Sequence, residues 1–292
     1  DLWNGLKTTG SQSTEVEYSG AALPANSLCH WKVRIWDKRS NPSPWSAVQS
    51  FRTGTFNDYC TTANSLVETE IRPETVTRTG NDSWFVDFGK AAFGKLVLEL
   101  KPVRKDTLLI HIGEKLSAKN RIDRQPGGTI RYYSVALPVE PGKTRYVAEI
   151  APDERNTGPA AIHLPDSFGV VSPFRYCEIE KLENEPDKII QKALWHYFDD
   201  SSSSFISSDT ILNRIWDISK YTIKATSFTG IYIDGDRERI PYEADAYINQ
   251  LCHYAADREF GLARYSHEYL LSHPTWPTEW RQHSIMMAWV DY

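Results

Sequence analysis

Residues 234–245 concentrate acidic and basic side chains in one short segment. Five carboxylates and two arginines stand within these twelve residues. Carboxylates this close cannot all ionise at ordinary cost, so some of them must find a cation, water or a metal, or must hold a proton. Glycoside hydrolases use such a pair, one carboxyl group kept protonated and a second one kept ionised. The segment therefore predicts acid–base chemistry on a sugar.

Pro241 divides this segment, because proline suits the first turn of a helix. Residues 234–238 are then expected on the loop that precedes the helix, and Glu243 and Asp245 in its first turn. The helix dipole favours acidic residues near a helix N-terminus, so these two carboxylates have an ordinary structural explanation. The carboxylates of the loop do not have one.

Calcium binding is an alternative reading of the loop. Asp234, Asp236 and Glu238 alternate along the chain, as oxygen ligands do in calcium loops. The rest of the twelve-residue EF-hand pattern is absent, and no HExxH spacing occurs. We therefore predict no metal and no cofactor.

A second candidate site follows later in the chain. Trp276 and Trp280 flank Glu279 on a predicted connection between two helices. Two indoles beside a carboxylate could form a sugar subsite, since aromatic rings bind the apolar faces of sugars. The alternative is a packed turn between helices, with Glu279 as an acidic residue in the first turn of the next helix.

The composition excludes some classes of partner. The 292 residues carry a net charge of −5, which argues against nucleic acid as a ligand. No apolar run approaches the roughly 18 residues that a membrane span needs. The four cysteines are far apart without metal-ligand spacing and are predicted as buried free thiols, which leaves the redox compartment open: Cys29, Cys60, Cys177 and Cys252.

Hydrophobic patterning predicts a multidomain β + α protein. Residues 1–54 are typical of the last strands of a fibronectin III-like β-sandwich, of which about half is expected upstream. Residues 55–195 hold many short strand-like runs between turn residues, which indicates a second β-sandwich. The apolar spacing becomes helical in residues 196–292, with helices expected to begin near residues 210, 241, 259 and 280.

Apolar periodicity also predicts which faces of these elements are buried. Each of the following sets is expected to lie on one face: Cys29, Trp31, Val33 and Ile35 in the first domain; Ile211, Leu212, Ile215, Trp216, Ile218 and Tyr221 in the first helix; Ile248, Leu251, Cys252 and Ala255 in the second helix.

The acidic segment resembles a known motif. Glu238-Arg239, two residues, Tyr242, two residues, Asp245 is similar to the core acidic motif of bacterial α-L-rhamnosidases (glycoside hydrolase family 78), roughly Asp-Cys-Pro-x-Arg-Glu-Arg-x-Gly-Trp-x-Gly-Asp. The resemblance implies that Glu238 is the general acid and that Asp245 binds the sugar. Asp234 matches the leading aspartate of the motif only if one residue is deleted, and Tyr242 stands where the family often has Trp.

The resemblance extends over nearly the whole chain in the same domain order. Residues 84–100, 113–116 and 173–176 are similar to the β-domain that precedes the catalytic domain of the family, and residues 208–216 are similar to its first barrel helix. It implies that residues 196–292 are the N-terminal part of an (α/α)6 barrel. The chain, which has no initiator Met or signal peptide, would then be a truncated or processed piece.

The resemblance also implies a reaction, the inverting hydrolysis of terminal α-L-rhamnosides. Such enzymes need a protonated acid on the leaving oxygen and a carboxylate base about 6.5–9.5 Å away. The family's base would lie beyond residue 292, so the chain alone is expected to be inactive. The substrate would be a rhamnose-containing oligosaccharide, polysaccharide or glycoside, and the protein would be secreted or periplasmic.

Further roles in this reaction are predicted for the remaining candidates. Glu243 is the rival to Glu238 as the acid. We predict that substrate is bound by Asp234, Asp245, Arg239, Tyr242, Glu243, Trp276, Glu279 and Trp280. Two other functions stay open: a non-catalytic carbohydrate-binding module, in which the acidic loop has a structural or calcium-binding role, and a barrel hydrolase for another sugar.

Overall fold

The computed structural model describes residues 2–10, 18–54, 66–276 and 278–292. By their internal contacts the residues form two compact units, Asp1–Cys60 and Thr61–Tyr292. The boundary predicted between residues 195 and 196 lies inside the second unit, and it stays a prediction.

The first unit contains an antiparallel ribbon of β1 (Leu28–Trp31) and β2 (Gln49–Arg52), in which Cys29 lies opposite Phe51. Cys29 is buried, but the other members of its predicted face, Trp31, Val33 and Ile35, are exposed. A two-stranded ribbon cannot bury a face unless another layer packs against it. The described part of this unit supplies no second layer, so the predicted core face is wrong beyond Cys29.

The second unit begins with a β-rich part. Its strands are β3 (Leu66–Ile71), β4 (Thr75–Arg78), β5 (Ser83–Glu99), β6 (Asp106–Gly113), β7 (Leu116–Ala118), β8 (Arg121–Ile122), β9 (Tyr132–Val139), β10 (Arg145–Ala148), β11 (Ser172–Glu180) and β12 (Lys188–His196). Eight of them form one antiparallel sheet in the order β3-β12-β5-β11-β6-β9, with β4 and β10 also paired to β5. Strands β7 and β8 form a separate hairpin.

Strand β5 organises this sheet because it spans 17 residues and changes partners along its length. β4 pairs with residues 84–87 of β5, and β10 and β12 pair with residues 94–99. β11 pairs with residues 83–87 and, beyond a bulge, with residues 92–94. Gly94 lies where β12 comes closest: a Cβ atom there would stand 2.3 Å from the carbonyl oxygen of Lys192. Only glycine permits that approach. The core below the sheet includes Val86, Ile110 and Phe174, each fully buried.

Four helices follow: α1 (Thr210–Thr226), α2 (Glu243–Ala256), α3 (Gly261–Ser272) and α4 (Thr278–Asp291). The carboxylate of Asp209 accepts hydrogen bonds from the backbone N–H groups of Ile211 and Leu212, which makes Asp209 the N-cap of α1. Helix α2 begins at Glu243, so Pro241 lies two residues before the helix and not within its first turn. Among the described residues, no helix is both long and apolar enough to cross a bilayer.

The apolar faces predicted for α1 and α2 are largely exposed. On α1, Ile211, Leu212, Ile215 and Ile218 face outward. Helix α2 instead buries a partly polar face: Glu243, Ala246, Gln250, His253 and Ala256. The apolar residues predicted on one face of α2 are therefore not the ones that α2 buries in the described structure. The physical reason is that Gln250 and His253 find partners inside, since Gln250 Nε2 donates to Met287 O at 3.1 Å and His253 Nδ1 lies 2.6 Å from Tyr232 Oη.

The described cysteines agree with the predicted burial in two cases out of three. Cys29 and Cys177 are buried free thiols, as predicted, whereas Cys252 is exposed on α2 and departs from the prediction. Cys60 lies outside the described residues.

An apolar cluster joins the sheet to the segment that leads into the acidic loop. The rings of Phe93, on β5, and Phe228 stack with centroids 3.7 Å apart and planes inclined by 8°. Ile231 and Ile233 pack in the same cluster. The residue that enters the acidic loop, Asp234, therefore follows a chain segment fixed against the β-sheet.

Candidate active site

The acidic loop is a tight turn closed by its own backbone. The N–H of Asp234 donates to the carbonyl of Ile240 at 3.0 Å, and the N–H of Ile240 donates back to Asp234 Oδ1 at 3.2 Å. The N–H of Arg239 donates to Gly235 O at 3.2 Å. Gly235 has φ = +116°, a conformation that favours glycine. The Asp-Gly-Asp sequence at the start of the loop therefore has a structural reason.

Asp236 points inward and is held by two guanidinium groups. Arg239 donates to Asp236 Oδ1 from Nε at 2.9 Å and from Nη2 at 2.7 Å. Arg131, just before β9, donates from Nε to Asp236 Oδ2 and from Nη2 to Asp236 O. Because guanidinium groups occupy both carboxylate oxygens, Asp236 is not free for a cation. Among the described residues no group of three His, Cys, Asp or Glu side chains could hold a metal ion.

Glu238 is the most accessible carboxylate of the loop. Its side chain is 38% exposed, against 5% for Asp234 and 10% for Asp236. The Oη of Tyr242 donates to Glu238 Oε2 at 2.8 Å. Nε of Arg237 lies 3.3 Å from Glu238 Oε1, and Nη2 of the same residue lies 3.1 Å from Asp234 Oδ2. Arg237 thus bridges two carboxylates, and Glu238 combines solvent access with an oriented carboxyl group.

The structure brings the two predicted sites together through Tyr242. The ring centroid of Tyr242 lies 6.4 Å from that of Trp276 and 6.1 Å from that of Trp280. The two indoles are themselves 5.8 Å apart. Trp276 is 50% exposed, so about half of this side chain is open to solvent next to the ring of Tyr242. We call Tyr242, Trp276 and Trp280 the aromatic cluster.

Glu243 lies behind this cluster and not in it. The side chain is fully buried, and Thr275 donates to it twice, from N to Oε1 at 3.0 Å and from Oγ1 to Oε2 at 2.5 Å. Arg239 is also buried, between Asp236 and the ring of Phe228. Both side chains are engaged by protein groups and closed to solvent. These contacts give both residues a structural role, and their predicted substrate contacts stay predictions.

Burial perturbs two of the remaining carboxyls. It raises the pKa of Asp234, against the opposing effects of the hydrogen bond from Ile240 and the charge of Arg237. Burial likewise raises the pKa of Asp245, and the charge of Arg237 opposes it. Burial together with the hydrogen bond to Glu238 raises the pKa of Tyr242 to about 12, so its hydroxyl stays a donor at neutral pH.

Asp245 and Glu279 occupy first turns of helices, on α2 and α4. Asp245 is half-buried, and no hydrogen bond joins it to the residues that the structure describes. Glu279 is exposed. Their predicted substrate contacts stay predictions.

Sequence reasoning missed the groups that support the loop from a distance. Arg131 and Asn156 contact Asp236 from positions 105 and 80 residues away, and Thr275 contacts Glu243 from 32 residues away. None of them stands in a local motif, so only the tertiary structure identifies them.

Comparison with known proteins connects both ends of the chain to one group of enzymes. Residues 1–57 match the family model described as the N-terminal immunoglobulin domain of Rha78A-like proteins. Residues 200–291 match the family model described as the six-hairpin glycosidase domain of bacterial α-L-rhamnosidases. The resemblance of the chain to these enzymes is thereby confirmed. The first domain matches an immunoglobulin domain, where a fibronectin III-like β-sandwich was predicted, and the β-rich part and the helices agree with the resemblance.

One curated relative matches a short part of the chain, and two solved structures share its fold. An α-L-rhamnosidase of Formosa agariphila is 41% identical over 58 residues, which are 20% of this chain and 6% of that protein. The structure of the α-L-rhamnosidase from Dictyoglumus thermophilum is similar over 85% of this chain and 28% of that one, with 15% identity and a TM-score of 0.59. The rhamnosidase of Bacillus sp. GL1 is similar over 73% of this chain and 22% of that one, with 16% identity and a TM-score of 0.50. The chain spans only a small part of the length of these relatives.

Proposed function

We propose that this chain, which is related to bacterial α-L-rhamnosidases at both of its matched segments, forms part of an enzyme that hydrolyses terminal α-L-rhamnosides. One observation carries the proposal for this site: Glu238, the most exposed carboxylate of the loop, is hydrogen-bonded by Tyr242 at the edge of the aromatic cluster. Protonation of a sugar's leaving oxygen requires an accessible, positioned carboxyl group, and exposed aromatic side chains beside it can pack against the sugar.

In this proposal Glu238 is the general acid. The half-exposed indole of Trp276 stacks on the apolar face of the sugar. The half-buried carboxyl of Asp245 forms no hydrogen bond with the described residues, and in this proposal it exchanges a hydrogen bond with a sugar hydroxyl. Asp234 is proposed to contribute mainly by holding Arg237, because its own side chain is nearly buried.

We further propose that α1–α4 are helices of an (α/α)6 barrel. The exposed apolar residues of α1 and α2 support this, since large apolar patches on a helix face are normally covered by another element. The catalytic base of an inverting mechanism would then come from a later barrel helix. Export of the protein stays a prediction from the resemblance.

Glu238→Gln in the intact protein tests the role of the acid. General acid catalysis contributes about 10²–10⁴-fold, so hydrolysis of a rhamnoside with a poor leaving group, such as an alkyl rhamnoside, should fall by that factor. Hydrolysis of a dinitrophenyl rhamnoside should fall far less, because that leaving group departs without a proton. Rhamnose binding, measured by calorimetry, should persist.

Glu183→Gln is the matched control, because it removes an exposed carboxylate between β11 and β12 that no prediction places in the site. It should leave the hydrolysis of both substrates unaffected. Equal losses on both substrates in Glu238→Gln would assign that residue a role other than proton donation. A wild-type protein that binds rhamnose without turnover would support the non-catalytic carbohydrate-binding function instead.

A further inference from the structure

The β-rich part of the second unit contributes a fully buried cation to the acidic loop. The side chain of Arg131 is 1% exposed. All three of its guanidinium nitrogens are used: Nε and Nη2 donate to Asp236, and Nη1 donates to Asp153 Oδ2 at 2.7 Å. Burying a guanidinium is costly unless every donor is paired, and here every nitrogen has a partner.

Asp236 is the point at which this cation acts on the loop. Besides Arg131, its carboxylate accepts two hydrogen bonds from Arg239, and Asn156 Nδ2 donates to its carbonyl at 3.2 Å. Asp236 stands two residues before Glu238, and Arg239 directly follows Glu238. Both chain neighbours of the Arg237-Glu238 pair are therefore tied to the β-rich part.

Asp153, which accepts from Arg131 Nη1, stays charged at neutral pH. Hydrogen bonds from Arg155 lower the pKa of Asp153 to about 2. Partial burial opposes this shift, and the charge of Arg131 adds to it. The carbonyl of Val171 accepts from Arg239 Nη2 at 3.0 Å, which ties the second guanidinium to the residue before β11. The loop is thus fixed from two separate places on the β-rich part, one before β9 and one before β11.

We propose that Arg131 is a positioning residue for Glu238: through Asp236 it fixes the acidic loop so that the Glu238 carboxyl stays against Tyr242 and beside the aromatic cluster. The β-rich part is then a working component of the active site and not only a neighbour of it. This inference rests on the proposed role of Glu238 as the general acid. Arg131 itself does not contact substrate, because it is buried.

Arg131→Gln in the intact protein tests this inference. The variant is expected to fold, because Asp236 keeps Arg239 and Asp153 keeps Arg155 as cationic partners. A misplacement on the order of 1 Å can cost about 10²-fold in rate, so kcat on an alkyl rhamnoside should fall about 10–100-fold while KM changes little. Exchange of the amides of Asp234, Arg239 and Ile240, which close the loop, should accelerate on the order of tenfold or more.

Arg124→Gln is the matched control. Arg124 forms an ion pair of the same kind in the β-rich part, with Nη2 2.6 Å from Glu178 Oε2, and contacts no residue of the acidic loop in the described structure. It should change neither kcat nor the exchange of the three loop amides. Amides of β5 and β11 report whether each variant keeps its fold.

The inference is overturned if Arg131→Gln leaves kcat within about twofold of wild type and the loop amides exchange at the wild-type rate. Should this variant fail to fold, Arg131→Lys keeps the buried charge but lacks the planar fork that donates to Asp236 and Asp153 together. A wild-type kcat with unchanged loop exchange in that variant would refute the inference equally. A wild-type protein without rhamnosidase activity would refute the proposed function, whereas the exchange experiment would still decide whether Arg131 holds the loop.

Discussion

Thr275→Val removes one hydroxyl group and so probes how the loop that carries Trp276 is anchored. Thr275 Oγ1 donates to Glu243 Oε2 at 2.5 Å, and the backbone N–H of Thr275 donates to the other oxygen at 3.0 Å. Valine keeps the shape of the side chain and leaves the backbone hydrogen bond in place. The substitution therefore isolates the hydroxyl.

The size of the effect follows from the burial of the acceptor. Glu243 is fully buried, so the oxygen that loses its donor cannot find water instead. A hydrogen bond contributes about 0.5–1.5 kcal/mol between neutral groups and about 1.5–3 kcal/mol to a charged group. We expect Thr275→Val to lower the free energy of unfolding by about 1–3 kcal/mol, or Tm by about 2–4 °C for each kcal/mol in a unit of this size.

Urea unfolding followed by tryptophan fluorescence measures this change, because Trp276 and Trp280 lie in the same loop and helix start. Thr275→Ser is the control: it keeps the hydroxyl and should stay near wild type. A Val variant within about 0.5 kcal/mol of wild type would refute the anchoring role of the hydroxyl. Equal destabilisation in Val and Ser variants would assign the effect to side-chain packing.

Two further predictions concern the site itself. Tyr242→Phe removes the hydroxyl that donates to Glu238 Oε2 at 2.8 Å but keeps the ring in the aromatic cluster. Loss of this hydrogen bond, about 0.5–1.5 kcal/mol, should lower kcat about 3–10-fold. An unchanged kcat would contradict a role for this hydrogen bond in catalysis. Burial raises the pKa of Asp245 above its usual 3.8, so the folded state favours the neutral carboxyl, and stability falls as pH rises from 3.8 through the raised folded value. Asp245→Asn should therefore match wild type below that window and be the more stable protein above it, which urea titrations across pH measure; a constant difference at all pH values would oppose this.

The local sequence was sufficient to locate the acidic loop and the elements around it. The Asp209 N-cap of α1 and the order of β-strands before helices follow from residue type and apolar period, which report geometry over a few neighbouring residues. The aromatic and acidic candidates were also recognisable from the sequence. The contact between Tyr242 and Trp276 could not be predicted from the sequence, because the two residues belong to different elements.

Tertiary structure decided the support of the site. Periodicity assigned the apolar side of α2 to the core, but the helix buries Gln250 and His253, since hydrogen-bond partners on other elements make that burial possible. It also decided that Glu243 is an anchor and that Arg131 holds Asp236 from 105 residues away. The physical reason is that a hydrogen bond between distant segments depends on how the chain packs. The spacing of residues within either segment therefore cannot predict it.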